Sequence, residues 1–405
     1  MPARPAKIIM SREVSGFVEP GFEGVREAFV QNLERRNELG AACCVYFRGN
    51  KVVDLWGGIR DRATSEPWEE DTMVLVFSTT KGMAGLSLAL ANSRGLLSYD
   101  ELVSEYWPEF ARNGKEKITV RHLLSHQAGL FAFDRKVDKE TVANPDKLAS
   151  ILADQRPAWE PGTRQAYHAI SLGFYEGELI RRVDPRHRTL GQFFHDEIAG
   201  PLGLDFFISL PESVPDSRLA KIEKFGSLRG LLSIRSLPFL LASMNRNSPT
   251  FRAMFVNPGP WLALDDERVY ARNLEVPSAG GVGTARAIAR AYGAYANGGA
   301  GLSLRKETLD ALMSPGVPPI HGFRDEVTKR EMVLSLGFLK PNPVYPFGNS
   351  GSFGAPGAGG SFGFADPEAK VAYAYVCNRM GAKQGGDPRE VAIRTAMHKA
   401  VSKSR

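Results

Sequence analysis

Cysteine is scarce: there are three in 405 residues, and two of these, Cys43 and Cys44, are neighbours. Adjacent residues on a strand point to opposite faces, so the pair does not suggest a disulfide framework or a zinc site, and buried thiols are expected. Long apolar runs are missing as well. The nearest candidate, 228–244, is interrupted by Arg229, Arg235 and Pro238, and no membrane span is expected. The apolar Ile8-Ile9-Met10 is too short for the core of a secretory leader, which places the protein in the cytoplasm. Basic residues exceed acidic ones, 51 against 45, but they are scattered, and the sequence offers no dense basic patch for a nucleic acid. No complete GxGxxG or Walker A run is present, which argues against a nucleotide enzyme. His122 and His126 stand one helical turn apart without the glutamate of an HExxH helix, so neither a metal nor an organic cofactor is expected.

What is present is enough apolar material, 43% of the chain, for one large core or two coupled ones. Val25, Phe29 and Leu33 fall at helical spacing and predict an amphipathic helix over 21–38. Residues 41–47 and 51–56 read as strands joined through Arg48-Gly49-Asn50. Residues 74–77 read as a strand running into Ser78, and 81–92, dense in Ala, Leu and Met, as a helix buried almost all round. From 95 to 270 the pattern changes to helical pieces, including 118–125, 164–182 and 189–197, with little alternation. A helix is then predicted over 284–297, strands over 333–339, 361–365 and 371–377, and a closing helix over 389–400. The last two strands flank Asp366-Pro367-Glu368-Ala369, a turn sequence, and form a hairpin. The expected fold is mixed α/β, in the α+β arrangement. An antiparallel sheet is flanked by N- and C-terminal helices, with 1–94 and 271–405 as the sheet domain and 95–270 as an inserted helical domain.

Ser78-Thr79-Thr80-Lys81 carries the first chemical signal. On a helix, residues three apart share a face, and a serine at a helix start lies where backbone N–H groups favour developing negative charge. A desolvated amine loses proton affinity and can accept the proton of a neighbouring hydroxyl. The S-x-x-K spacing alone is common, and Ser303-Leu304-Arg305-Lys306 repeats it in charged surroundings that suggest an ordinary exposed helix start. Two further segments give Ser78 its context. The run 159–169 delivers Tyr167 at a helix entrance, where a phenol can share a proton with Lys81 and Ser78 and pass it to a leaving group. The run 353–361 belongs to a stretch with seven glycines between Gly348 and Gly363, and its backbone can approach a substrate closely. Gly359-Gly360-Ser361-Phe362-Gly363 also fits GxSxG, but Ser361 opens a strand, whereas a nucleophile elbow leads into a helix, so Ser361 reads as structural.

This order of motifs resembles the serine β-lactamase and penicillin-binding-protein superfamily. The segments 118–130 and 277–282 are similar to its pocket border and to its entry into the helix after the insertion. The resemblance covers nearly the whole chain and is greatest to the class C β-lactamase-like esterases called family VIII carboxylesterases. It implies Ser78 as acylated nucleophile, Lys81 as its base partner and Tyr167 as acid/base, with the N–H groups of Ser78 and Ala358 as the oxyanion hole. Two departures redirect the substrate. Ala355-Pro356-Gly357 replaces Lys-Thr-Gly, and Tyr167-His168-Ala169 replaces Tyr-x-Asn. Both remove polar groups that would hold a carboxylate-bearing substrate, so a small neutral ester cleaved through an acyl-enzyme is expected, without metal or cofactor. Ala355, Gly357, His168 and Ala169 would then border the substrate, with Phe131 and Phe133 lining the acyl pocket. The apolar stretch 225–255 either packs the helical domain or covers that pocket. Acyl transfer, β-lactam or amide hydrolysis, and a catalytically silent binding protein are the alternatives.

Overall fold

In the computed structural model, Arg48 and Gly49 both take left-handed φ values, 51° and 84°, and close a hairpin that pairs Phe47 with Asn50. Two such residues in a two-residue loop match the twist of the flanking strands. The hairpin strands are β2 (Gly40–Phe47) and β3 (Asn50–Asp61), preceded by β1 (Val14–Val18) and followed by the short β4 (Glu66–Pro67). The structure describes residues 13–223, 237–256, 262–265, 267–381 and 386–404. Within them, β8 (Val333–Ser335), β9 (Phe338–Lys340), β10 (Phe353–Pro356), β11 (Phe362–Asp366) and β12 (Val371–Cys377) complete the main sheet. Its order is β1-β3-β2-β12-β11-β10-β9-β8, with β4 on β3, and every pairing is antiparallel.

Alternation along β2 and β12 assigns the two faces. Ala41, Cys43, Val45 and Phe47, with Tyr373 and Tyr375, face one core, where they meet Val25, Phe29 and Leu33 of α1 (Glu23–Arg35). The closing helix, Pro388–Lys403, adds Ile393, Met397 and Val401 to the same layer. Cys44, Ala372, Ala374 and Val376 join the opposite core. Cys43 and Cys44 are thus buried in different cores, as strand alternation requires. In that second core lie α2 (Thr80–Ser93), α3 (Ser171–Val183) and α4 (Ala285–Ala296), the last contributing Ile288, Tyr292 and Tyr295. The expected mixed α/β fold, a large antiparallel sheet with terminal helices on one face, is the one observed.

Several local expectations change. Only Val74–Leu75 of the run before Ser78 forms a strand, β5, and it pairs with β7 (Val282–Gly283), which also pairs with β6 (Phe206–Phe207). This second, three-stranded sheet carries the nucleophile segment, not the main sheet. The run 333–339 is split into the β8–β9 hairpin because Leu336 and Gly337 turn with φ of 50° and 89°. Within the helical stretch 164–182, the helix expected over 170–182 spans Ser171–Val183, and Gln165 to Ala169 before it are irregular chain. Arg60 O and Asn378 O accept the amides of Lys221 and Glu223, so this part of the 95–270 segment lies along the sheet side. The division into 1–94 with 271–405 and 95–270 stands as our proposal for the domains.

Candidate active site

The two threonines between Ser78 and Lys81 fix the nucleophile turn. Ser78 lies in a 3₁₀ turn, Phe77–Thr79, directly before α2. Thr79 Oγ1 donates to Ser361 O at 3.2 Å, tying the turn to the β10–β11 loop. Thr80 Oγ1 donates to Phe77 O at 2.5 Å and accepts from the Gly281 amide at 2.9 Å. The residue before Ser78, Phe77, is buried and has φ of 47°. A left-handed aromatic residue stores strain that its surroundings must hold, and here Leu75, Leu210 and Val282 pack in the same cluster.

Two glycines let neighbouring chains come close to this turn. A Cβ on Gly357 would lie 2.3 Å from Val76 O and 2.7 Å from Thr79 Oγ1. A Cβ on Gly82, in the first turn of α2, would lie 2.0 Å from the Tyr292 hydroxyl. The Gly-rich hairpin and α4 can therefore seat against the S-x-x-K turn only because these positions lack side chains.

Lys81 is buried, and its Nζ donates to Ala169 O at 2.6 Å and to Ser278 O at 2.9 Å, with Ser78 Oγ at 3.4 Å. A neutral amine has two N–H donors and one lone pair. With both donors met by carbonyls, the lone pair is left for Ser78. Burial lowers the Lys81 pKa to about 7, against a smaller opposing pull from Glu176. The same ammonium position lies 4.9 Å from the centre of the Tyr167 ring. Burial raises the Tyr167 phenol and keeps it protonated, while its hydrogen bond with Ser78 pulls the other way. Behind Tyr167, Asp325 Oδ1 accepts the amides of Val327 and Thr328 at 3.0 and 2.7 Å, and the Tyr167 amide also bonds to this carboxyl.

A cavity joins these groups. Ser78, Lys81, Tyr167, Ala169, Ala355, Gly357 and Ala358 all line it, and its apolar walls include Met254, Met332, Leu334 and Leu339. His126 also lines it; its Nδ1 accepts the His168 amide at 2.8 Å, and burial keeps the ring neutral. From the sequence, His126 reads only as a metal ligand or a residue of the pocket border. His122 caps its own short helix, with Thr119 N bonding to its Nδ1 at 3.4 Å.

Three residues assigned to the substrate lie elsewhere among the described residues. His168 is fully buried with both ring nitrogens engaged by backbone: Nδ1 meets Ala166 O at 2.7 Å and Nε2 accepts the Leu130 amide at 3.2 Å. Phe131 stacks on Trp159 in a small cluster with Ala166 and Val327. Phe133 packs near Phe174 in the large core. The two rings enter different clusters, a direction that spacing alone does not specify. Of the expected cover, 225–236 lies outside the described residues. Met254 reaches the cavity wall, whereas Leu241, Met244 and Phe255 are exposed, so 237–255 does not pack as a core helix. Ser361 is buried, and its carbonyl serves Thr79 and the Gly357 amide at 2.7 Å. Lys306 opens an exposed helix and pairs with Asp310.

The family model described as Beta-lactamase matches residues 25–397. The curated "Esterase/beta-lactamase LipL" of Mycobacterium tuberculosis is 36% identical over 375 residues, covering 91% of this chain and 84% of that protein. A solved structure of a family VIII carboxylesterase superposes with a TM-score of 0.83 at 36% identity, over 96% of this chain and 100% of the other. A penicillin-binding-protein homologue from Caulobacter crescentus does so with a TM-score of 0.83 at 35% identity, again over 96% and 100%.

Proposed function

The chain belongs to the β-lactamase family, as a β-lactamase-like serine hydrolase, and on that premise we propose that it cleaves neutral carboxylic esters of short to medium acyl chain through a Ser78 acyl-enzyme. The observation that carries this reading is the placement of the Lys81 amine. Two backbone carbonyls occupy its donors while the Ser78 hydroxyl lies in reach, in an apolar cavity. Ser78 Oγ attacks the ester carbonyl carbon as its proton passes to Lys81 Nζ. The amides of Ser78 and Ala358 receive the negative oxygen. The C–O bond to the alcohol then breaks, and the leaving oxygen takes a proton through Tyr167. Water attacks the acyl carbon and gives its proton to the same base, the C–Oγ bond breaks, and Ser78 regains a proton as the acid departs.

Substrate charge is read from the walls. Among the described residues lining the cavity, Lys81 is the sole Lys or Arg, and its amine is committed to carbonyls and Ser78. Ala355 stands where a cation would clamp a carboxylate, which favours neutral esters over β-lactams and peptide termini. No helix among the described residues is long and apolar enough to cross a membrane. We retain the cytoplasm as the proposed compartment. Intact-protein mass spectrometry with a short-chain aryl ester or a fluorophosphonate tests the mechanism. A covalent adduct is expected on wild type and on Ser361→Ala, and none on Ser78→Ala; an adduct that persists in Ser78→Ala overturns it. Turnover of a chromogenic cephalosporin should be far below that of the aryl ester.

A further inference from the structure

The helix α3 buries two glutamates that are treated differently. Glu178 is paired, its carboxylate meeting Arg181 at 2.8 Å and Arg182 at 2.7 Å. Glu176 is fully buried, and neither of its carboxyl oxygens has a hydrogen-bond partner among the described residues. An unpaired buried carboxyl is costly, and leucine at this place would carry none of that cost. Its position points to what it acts on. A Cβ on Gly337 would lie 3.4 Å from Glu176 Oε1 and 3.3 Å from the Gly85 Cα. Gly337 is part of the reaction cavity's wall, and Gly85 lies one turn after Lys81 on α2. The carboxyl therefore sits behind the cavity, against the helix that carries the general base.

We propose that Glu176 is a positioning residue for the Ser78 chemistry, a buried carboxyl that sets the charge balance of the Lys81 amine from behind the cavity wall. This rests on the acyl-enzyme reading above. Burial raises the Glu176 pKa to about 8, and Lys81 opposes that rise; burial lowers Lys81 to about 7, and Glu176 opposes that fall. Each group thus opposes the other's shift, so a proton on Lys81 favours ionisation of Glu176. When Lys81 takes the proton of Ser78, an ammonium forms in an apolar site and draws the Glu176 carboxyl towards its ionised form, whose charge offsets that of the ammonium. Among the described residues the neighbouring groups do not balance this charge. From the opposite side, His126 and His168 are held neutral by burial, and Tyr167 stays a phenol. On α3 itself, Tyr175 is kept protonated by burial and Glu178 is committed to its arginines. The β8–β9 hairpin presents Gly337 at this point, without a charge.

The test is the pH dependence of the single-turnover acylation rate with an aryl ester, for wild type, Glu176→Gln, Glu176→Leu and Glu176→Asp. Replacing Glu176 removes the group whose ionisation opposes the fall of the Lys81 pKa. The acid limb of the Gln and Leu variants should therefore move to lower pH by about half a unit or more, roughly 3-fold in rate on the limb. Glu176→Asp should stay nearer to wild type. The Leu variant leaves no unpaired polar group and guards against loss of folding in the Gln variant. Limbs that coincide in all four proteins, whatever their melting temperatures, overturn the proposal. If wild type forms no adduct at Ser78, the parent reading fails and this one with it. If the adduct forms and the limbs coincide, only the role of Glu176 fails.

Discussion

Three lysines lie buried among the described residues, Lys81, Lys115 and Lys340; the first two have nearly the same setting, yet in the proposed mechanism only Lys81 serves as a base. Lys81 Nζ has two carbonyl partners and lies 4.9 Å from the Tyr167 ring centre. Lys115 Nζ, in the helical region, lies 5.2 Å from the Phe110 ring centre and donates to Arg112 O, Ala153 O and Gln155 O, each at 2.7 Å. Burial lowers both amines, to about 7 and about 8. The difference is the third partner. An ammonium has three donors, and the Lys115 socket satisfies all of them with acceptors that cannot give up a proton. In the cleft, the third place is filled by the Ser78 hydroxyl at 3.4 Å, which is itself a proton donor. A buried, proton-poor lysine is thus a structural pin or a catalytic base according to what completes its shell.

Substitution at each site should break the likeness in opposite directions. Lys81→Met is expected to lower the acylation rate by about 10²–10⁴-fold, the range lost with a general base, with a stability loss no larger than that of Lys115→Met because it leaves two buried carbonyls without a donor and not three. In the parent protein the same rate should rise with pH through about 7, because only the neutral amine accepts the proton and the depressed Lys81 pKa places that change there. A Lys81→Met protein as active as wild type would end the assignment. Lys115→Met leaves three buried carbonyls without their donor and should cost roughly 1–3 kcal/mol of stability, read by chemical denaturation. Its kcat/KM should match wild type, and a large fall in activity without a fall in stability would mean that the two sockets are not distinct.

The sequence made one of these lysines legible and hid the other. Lys81 stands three residues after Ser78 in an apolar run, so both its burial and its partner could be read from spacing. Lys115 lies in Arg112-Asn113-Gly114-Lys115-Glu116-Lys117, which reads as a solvated turn, yet the residue is fully buried. Its three acceptors come from two separate segments, and no local pattern records that meeting. The same limit explains His168 and Glu176. The tyrosine motif located Tyr167 next to Ser78, but whether the following ring faces substrate or backbone depends on Leu130 and Ala166. Glu176 looks like one more charge on an amphipathic helix until Gly337 closes over it. The sheet was legible because alternation and turn residues are local, as in Arg48-Gly49. The split of 333–339 was not, because Leu336 is an unusual residue for a left-handed turn.

The smallest effect concerns how the cleft keeps its third place registered. The Lys115 socket is closed by its own three bonds, whereas the Ser78 turn is held from outside, by Thr79 Oγ1 on Ser361 O at 3.2 Å. Thr79→Val keeps the shape and burial but deletes that hydroxyl, at a cost of about 0.5–1.5 kcal/mol for one hydrogen bond. The tether joins the turn to the loop bearing Ala358, so part of its loss should show as a several-fold lower kcat with KM little changed, because the oxyanion donors and Ser78 Oγ drift relative to each other. The Lys115 socket shares no bond with it, and combining Thr79→Val with Lys115→Met should give additive losses of stability. A double variant whose stability loss departs from that sum by more than about 0.5 kcal/mol would show that the cleft and the socket are coupled after all.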